Sequence, residues 1–202
     1  MKQLFLILTF LATTASFAQG ANSEYRLGDE LTLRGRTGIA AVESGRAWLT
    51  CDGTNLILTA DLTDSDIGNS ATANNEKTWL TGDACEFFFQ PAGREDYYEI
   101  HVTPNHKTLQ LHLMSVKRLG KVPFESQLFE SGFKSEAKVE KGRWTVRMEI
   151  PLKSLGDNVQ VAGSLFAVCR YNYNKPSKEP ELTSSTPLPK SFHSPSEWHK
   201  IK

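Results

Sequence analysis

Hydrophobic and polar residues alternate with a period of two along most of this chain, the pattern of strands with one buried face. Trp48 to Cys51 and Leu56 to Leu62 carry it on either side of Asp52-Gly53, so the stretch predicts a hairpin. Asp83 to Gln90 sets Cys85, Phe87 and Phe89 on one face and Ala84, Glu86, Phe88 and Gln90 on the other. Tyr97 to Thr103 sets Tyr98, Ile100 and Val102 against Tyr97, Glu99 and His101. After the turn signal Pro104-Asn105, Leu109, Leu111 and Leu113 alternate with Gln110, His112 and Met114. A second hairpin spans Phe133 to Val139 and Arg143 to Ile150 around Lys141-Gly142, with Trp144, Val146, Met148 and Ile150 facing one way. Trp48 and Trp144, among apolar partners, are expected in the core. Pro151 to Leu155 fits one helical turn, and Leu165 to Tyr173 a last long strand. Lys175 to Pro195, rich in Pro and Ser, is expected to be a long loop. There is no long amphipathic helix and no internal repeat. The fold class is therefore all-β, an antiparallel β-sandwich of the jelly-roll kind.

If the three strands from Asp83 to Met114 are neighbours in one sheet, one face carries Glu86, then Glu99 and His101, then Gln110 and His112. Trp79 stands just ahead of them, at a loop–strand junction. An aromatic at the mouth of a sheet with charged residues beside it suits a polyhydroxylated ring. The apolar face of a sugar stacks on indole, and its hydroxyls need charged or amide partners. The plain alternative is an ordinary solvated sheet face.

The start of the chain changes the picture of where it works. Lys2, the apolar run Leu4 to Ala12 and the small-residue site Ser16-Phe17-Ala18 predict a signal peptide over 1–18, leaving 19–202 as a single exported domain, periplasmic or secreted. The run is too short to span a bilayer, and no later segment is apolar enough. Lys+Arg 23 against Asp+Glu 23 leaves no net charge, and no basic stripe marks a nucleic-acid partner. Cys51, Cys85 and Cys169 sit in or beside apolar runs, as buried free thiols or as one disulfide with one thiol left over. Asp61, Asp64 and Asp66 cluster at a strand end, an acidic turn or a weak site for a structural calcium ion. No G-x-S-x-G, HExxH or Cys/His metal spacing occurs. Glu86 and Glu99 invite comparison with a glycosidase acid and nucleophile, but even and odd positions on adjacent strands argue against their convergence.

Five pieces in order resemble the family 9 carbohydrate-binding module and the wider DOMON-like sandwiches. They are Ala47-Trp48 with Leu56-Ile-Leu and Asp61 to Ile67; Trp79…Asp83-x-x-Glu86; Tyr97-Tyr98-Glu99-Ile-His-Val; Gly142-Arg-Trp144…Glu149-Ile-Pro151-Leu; and Phe192-His193-Ser-Pro195-Ser-Glu-Trp198. The resemblance implies a non-catalytic module that binds oligo- or polysaccharide in a slot between two aromatics. It maps the ligand-binding set onto Trp79, Glu86, His101 and Phe192, with His193, Trp198 and Arg170 as secondary candidates. Polymer-degrading enzymes are candidate companions, and no cofactor is implied by the sugar slot. The Trp79 to Asp83 spacing is one residue longer than the family pattern, Phe192 stands for a Trp, and His101 for a permanently charged side chain. Some DOMON-like relatives instead bind haem b for electron transfer; Met114, Met148, His101 and His112 are the residues available for that alternative.

Overall fold

The computed structural model describes residues 24–174 and 179–202. The expected signal peptide and residues 175–178 of the Pro/Ser-rich stretch lie outside them. The described strands are β1 (Tyr25–Arg26), β2 (Leu31–Gly35), β3 (Gly45–Cys51), β4 (Asn55–Thr63), β5 (Ala84–Gln90), β6 (Tyr97–Val102), β7 (Thr108–Leu113), β8 (Lys134–Glu140), β9 (Arg143–Pro151), β10 (Leu165–Asn172), β11 (Glu181–Ser184) and β12 (His199–Lys200). Their hydrogen-bonded order is β7-β6-β5-β10-β11-β2-β3-β4-β9-β8, with β1 beside β3 and β12 beside β10. The order makes two antiparallel layers, β7-β6-β5-β10 and β2-β3-β4-β9-β8, and β11 pairs with both β10 and β2 at the seam.

Alternation explains the packing. Leu56, Leu58, Ala60 and Leu62 of β4 and Trp144, Val146, Met148 and Ile150 of β9 face inward, and meet Phe87, Phe89, Tyr98, Ile100 and Val168 of the other layer. Asp52 starts the β3–β4 turn by accepting from the Thr54 and Asn55 N–H groups (2.8 and 2.7 Å), and Gly53 supplies the positive φ of 87°. The Lys141-Gly142 hairpin and the single helical turn, Leu152–Leu155, are where the pattern puts them.

Two expectations are corrected. Trp48 is not in the core: Ala47, Leu49 and Cys51 take the inward positions of β3, so Trp48 lies half-exposed on the outer face, with the Arg26 guanidinium 5.7 Å from its ring. The stretch expected to be loop contains β11, whose Thr183 and Ser184 are buried. Polar residues form a strand there because two waiting edges, β10 and β2, supply its hydrogen-bond partners. The acidic cluster does not converge: Asp61 pairs with Arg46 (3.1 Å) and Arg143 (3.4 Å), whereas Asp64 is buried against Arg170 (2.7 Å). All three cysteines are buried and free. Burial pushes the Cys85 thiol up to about 12, so it stays protonated and unreactive.

A second, smaller apolar layer covers the outer face of β7-β6-β5-β10. It joins Phe88, Tyr97, Leu109 and Leu111 to Leu188, Phe192 and Trp198 of the C-terminal segment. Trp198 docks as its place near the chain end suggests. Its ring lies 5.5 Å from those of Phe88 and Tyr97, and its indole N–H donates to the Phe192 carbonyl (2.9 Å). Ile201 then reaches the main core.

Candidate functional site

The segment ahead of β5 is held through its backbone carbonyls, and the half-buried Trp79 ring packs on the outer apolar layer, edge-on to His101 at 5.7 Å. Thr78–Leu80 is a single 3-10 turn. Asn69 grips it from below, donating to the Thr78 and Asp83 carbonyls (3.0 Å each). The Tyr173 hydroxyl donates to the Trp79 carbonyl (2.6 Å). Gly82, at φ 143°, lies so close to the neighbouring segment that a Cβ would sit 2.3 Å from the Gly68 carbonyl oxygen. Asp83 is fully buried and accepts from the Gly68 and Tyr173 N–H groups (2.6 and 2.8 Å), while burial raises its carboxyl to about 6. Asp83 thus fixes the loop and does not face the cavity.

Trp79 opens onto a cavity of about 380 Å³, within the range of small-ligand sites. Phe192 lines the same cavity from the far end of the chain, and Glu86 and Glu99 line it from β5 and β6. Trp79 meets Phe124 edge-on at 6.1 Å, and Phe192 meets Tyr171 at 5.7 Å; both partners also line the cavity. Phe124 belongs to the β7–β8 connection, which sequence reasoning passed over. An aromatic next to a proline, Pro123-Phe124, was the signal available there.

The floor is a buried acid–histidine–acid cluster. Register sets Glu86 opposite His101, and Glu99 lies two positions along the same strand as His101, so all three share one face. The expectation that Glu86 and Glu99 would not converge is therefore wrong: their alternation is in phase across the strand pair. His101 Nε2 donates to Glu99 (2.7 Å) and lies 3.4 Å from Glu86, and Nδ1 shares a 2.7 Å hydrogen bond with the Thr78 hydroxyl. Burial pushes the Glu86 carboxyl up to about 8, opposed by His101 and reinforced by Glu99. For Glu99 the bond and charge of His101 outweigh burial and lower it; for His101 the two acids outweigh burial and raise it. Near neutral pH the cluster is a protonated Glu86 beside a Glu99–His101 ion pair. These three residues are the group among the described residues whose potential metal-ligand atoms lie within 4.8 Å of one another, although the histidine nitrogen is already held by Glu99.

The other expected site residues scatter. His101 lies beneath the two acids, fully buried, and does not line the cavity. His193 lines it, sharing a 2.9 Å hydrogen bond with the Tyr97 hydroxyl. Trp198 lies behind Phe192 in the apolar layer. Arg170 is on the opposite face of β10, inside the sandwich. Gln110 and His112 are also corrected: β7 pairs Leu111 with Glu99 and His112 with Tyr98, so the leucines share the face of the acids. His112 instead stacks on Tyr98 (4.6 Å) at the edge of the main core. The residues available for haem divide likewise, with Met148 in the main core and Met114 exposed.

The raised Glu86 carboxyl makes a pH prediction. The folded state holds the Glu86 proton between the ordinary value of 4.5 and about 8, so this contribution to stability is full below pH 4.5 and is lost as pH rises through 8. The raised His101 works in the same sense. Glu86→Gln removes the first effect and weakens the second. In denaturant titrations, wild type should therefore lose stability relative to Glu86→Gln between pH 5 and 8, by on the order of 2–4 kcal/mol. Parallel profiles would place the titrating proton elsewhere.

Two antiparallel layers, with an aromatic-walled cavity and polar floor on the outside of one, make a β-sandwich with a candidate ligand site. The chain belongs to the carbohydrate family 9 binding domain-like family, whose profile matches residues 28–202. Solved structures share the fold. A candidate carbohydrate-binding protein from Bacteroides uniformis ATCC 8492 has a TM-score of 0.65 at 16% identity, covering 84% of each chain. A family 9 carbohydrate binding module from Caldicellulosiruptor kristjanssonii in complex with cellotriose gives 0.58 at 14% identity, over 84% of this chain and 80% of that one. A structure of such a module from the same organism with glucose gives 0.59 at 12%, over 85% and 83%. A comparison with curated proteins gave no match. No helix of the described residues is long and apolar enough to cross a membrane.

Proposed function

We propose that this protein binds carbohydrate in the Trp79 cavity without transforming it. The observation that carries the reading is the meeting of Trp79 and Phe192, from segments far apart in sequence, on one cavity that Glu86 and Glu99 also line. Aromatic walls take the apolar faces of a sugar ring, and the acids take its hydroxyls. Protonated Glu86 can donate as well as accept. Family membership and the cellotriose and glucose seen in similar modules support the same class of ligand.

Binding without hydrolysis follows from how the acids are used. Two-carboxylate glycosidases set their groups on either side of the scissile bond, ~5 to 9 Å apart, with one free to attack or to activate water. Here both acids close on a single imidazole nitrogen, and Glu99 is committed to it. A slot of this kind supplies roughly −4 to −8 kcal/mol, or about millimolar to micromolar affinity. Such a binder acts on oligo- or polysaccharide beside polymer-degrading enzymes, outside the cytoplasm if residues 1–18 direct export. A glycan array probed with the purified protein tests the reading. Binding to a defined set of glycans, with no new reducing ends on incubation, is expected. A blank array, or release of reducing ends, would contradict it.

A further inference from the structure

The walls of the Trp79 cavity carry unbalanced positive charge. Arg36 from the β2–β3 connection, Lys77 from the segment before Trp79 and Lys190 from the C-terminal segment all line it. Five arginines hold carboxylates: Arg46 holds Asp61, Arg94 holds Asp96, Arg143 holds Glu140, Arg147 holds Glu24 and Arg170 holds Asp64. Among the described residues, no carboxylate is paired with Arg36, Lys77 or Lys190. Lys77 Nζ instead lies 5.1 Å over the ring of Phe124, against the cavity wall. Arg36 is anchored at its backbone, donating to the Leu182 carbonyl and accepting from the Leu188 N–H (2.8 Å each). The acids of the floor do not offset these cations. Glu99 is neutralised by His101 at 2.7 Å, and buried Glu86 keeps its proton near neutral pH.

Resting on the carbohydrate reading above, we propose that the ligand of this cavity is an acidic carbohydrate, whose carboxylate or sulfate is met by Arg36, Lys77 and Lys190 while its ring stacks on Trp79. Three like charges around one cavity repel one another, and a bound anion relieves that repulsion. The arginine fork matches the paired oxygens of a carboxylate or sulfate, and the lysines add mobile point charges. A neutral glucan offers these groups hydroxyls alone.

The test is calorimetric titration of the purified protein with tri-galacturonate and galactose 6-sulfate, each against its neutral counterpart, the fully methyl-esterified trimer or galactose. At least one acidic probe should bind about tenfold tighter than its counterpart, and should weaken by about threefold or more when salt rises from about 50 to about 500 mM. Which acidic probe binds tells carboxylate from sulfate. In Arg36→Gln/Lys190→Gln, the acidic-over-neutral ratio should fall toward one. Neutral probes binding as tightly as acidic ones would overturn this inference and leave the carbohydrate reading standing. An acidic preference that survives the double substitution would overturn the role of these residues. Silence from all probes, with array binding in hand, would overturn the acidic ligand as well.

Discussion

Arg170→Met is expected to lower the unfolding free energy by about 3–5 kcal/mol, the range for removing one partner of a buried ion pair. Arg170 is fully buried, and its guanidinium ties the two layers together. It donates to the Thr63 carbonyl, to Asp64 and to Asn172, each at 2.7 Å. Methionine fills the space but leaves Asp64 buried, with its ion-pair partner gone. Arg170→Met/Asp64→Leu should recover part of the loss, because an apolar pair carries no uncompensated charge. Chemical denaturation of the three proteins measures both effects. Equal losses in the single and double variants would show that Arg170 acts by packing alone.

Trp144→Ala is expected to cost about 3–5 kcal/mol as a large-to-small core truncation. The indole is fully buried on β9, facing the inward side chains of the opposite layer. Its N–H has no hydrogen-bond partner, so stability there comes from volume and apolar area, not polarity. Trp144→Phe should therefore cost much less than Trp144→Ala in the same denaturation experiment. Similar losses in both would point to a polar role for the indole.

Period-two alternation made the sandwich legible. The β9 face from Trp144 to Ile150 could be read directly, because it depends on local pattern. Trp48 was misassigned because both faces of β3 carry apolar residues, and alternation does not say which face turns inward. Gln110 and His112 failed for a related reason. Pairing between β6 and β7 is set by the turn at Thr103 to Lys107, where His106 takes φ 61°, and a one-residue change of register reverses which side chains share a face. Trp79 and Glu86 were legible in the strand pattern, and Phe192 came from family resemblance. The Phe124 wall did not: Pro123-Phe124 marks the loop, but its sequence does not say which sheet face it closes over. Arg36, Lys77 and Lys190 were hidden most completely: a chain with no net charge and no basic stripe gathers them only by folding.

The central claim, that the Trp79 cavity holds a carbohydrate, is tested most directly by titrating wild type and Trp79→Ala with the strongest glycan from the array, alongside thermal melts of both proteins. Trp79 is half-buried at the margin of the outer apolar layer and its loop is fixed through backbone carbonyls, so alanine should leave the loop in place. The account predicts at least about a 30-fold loss of affinity, roughly 2 kcal/mol or more for an aromatic anchor, with a melting temperature within a few degrees of wild type. Undiminished binding by Trp79→Ala would contradict it.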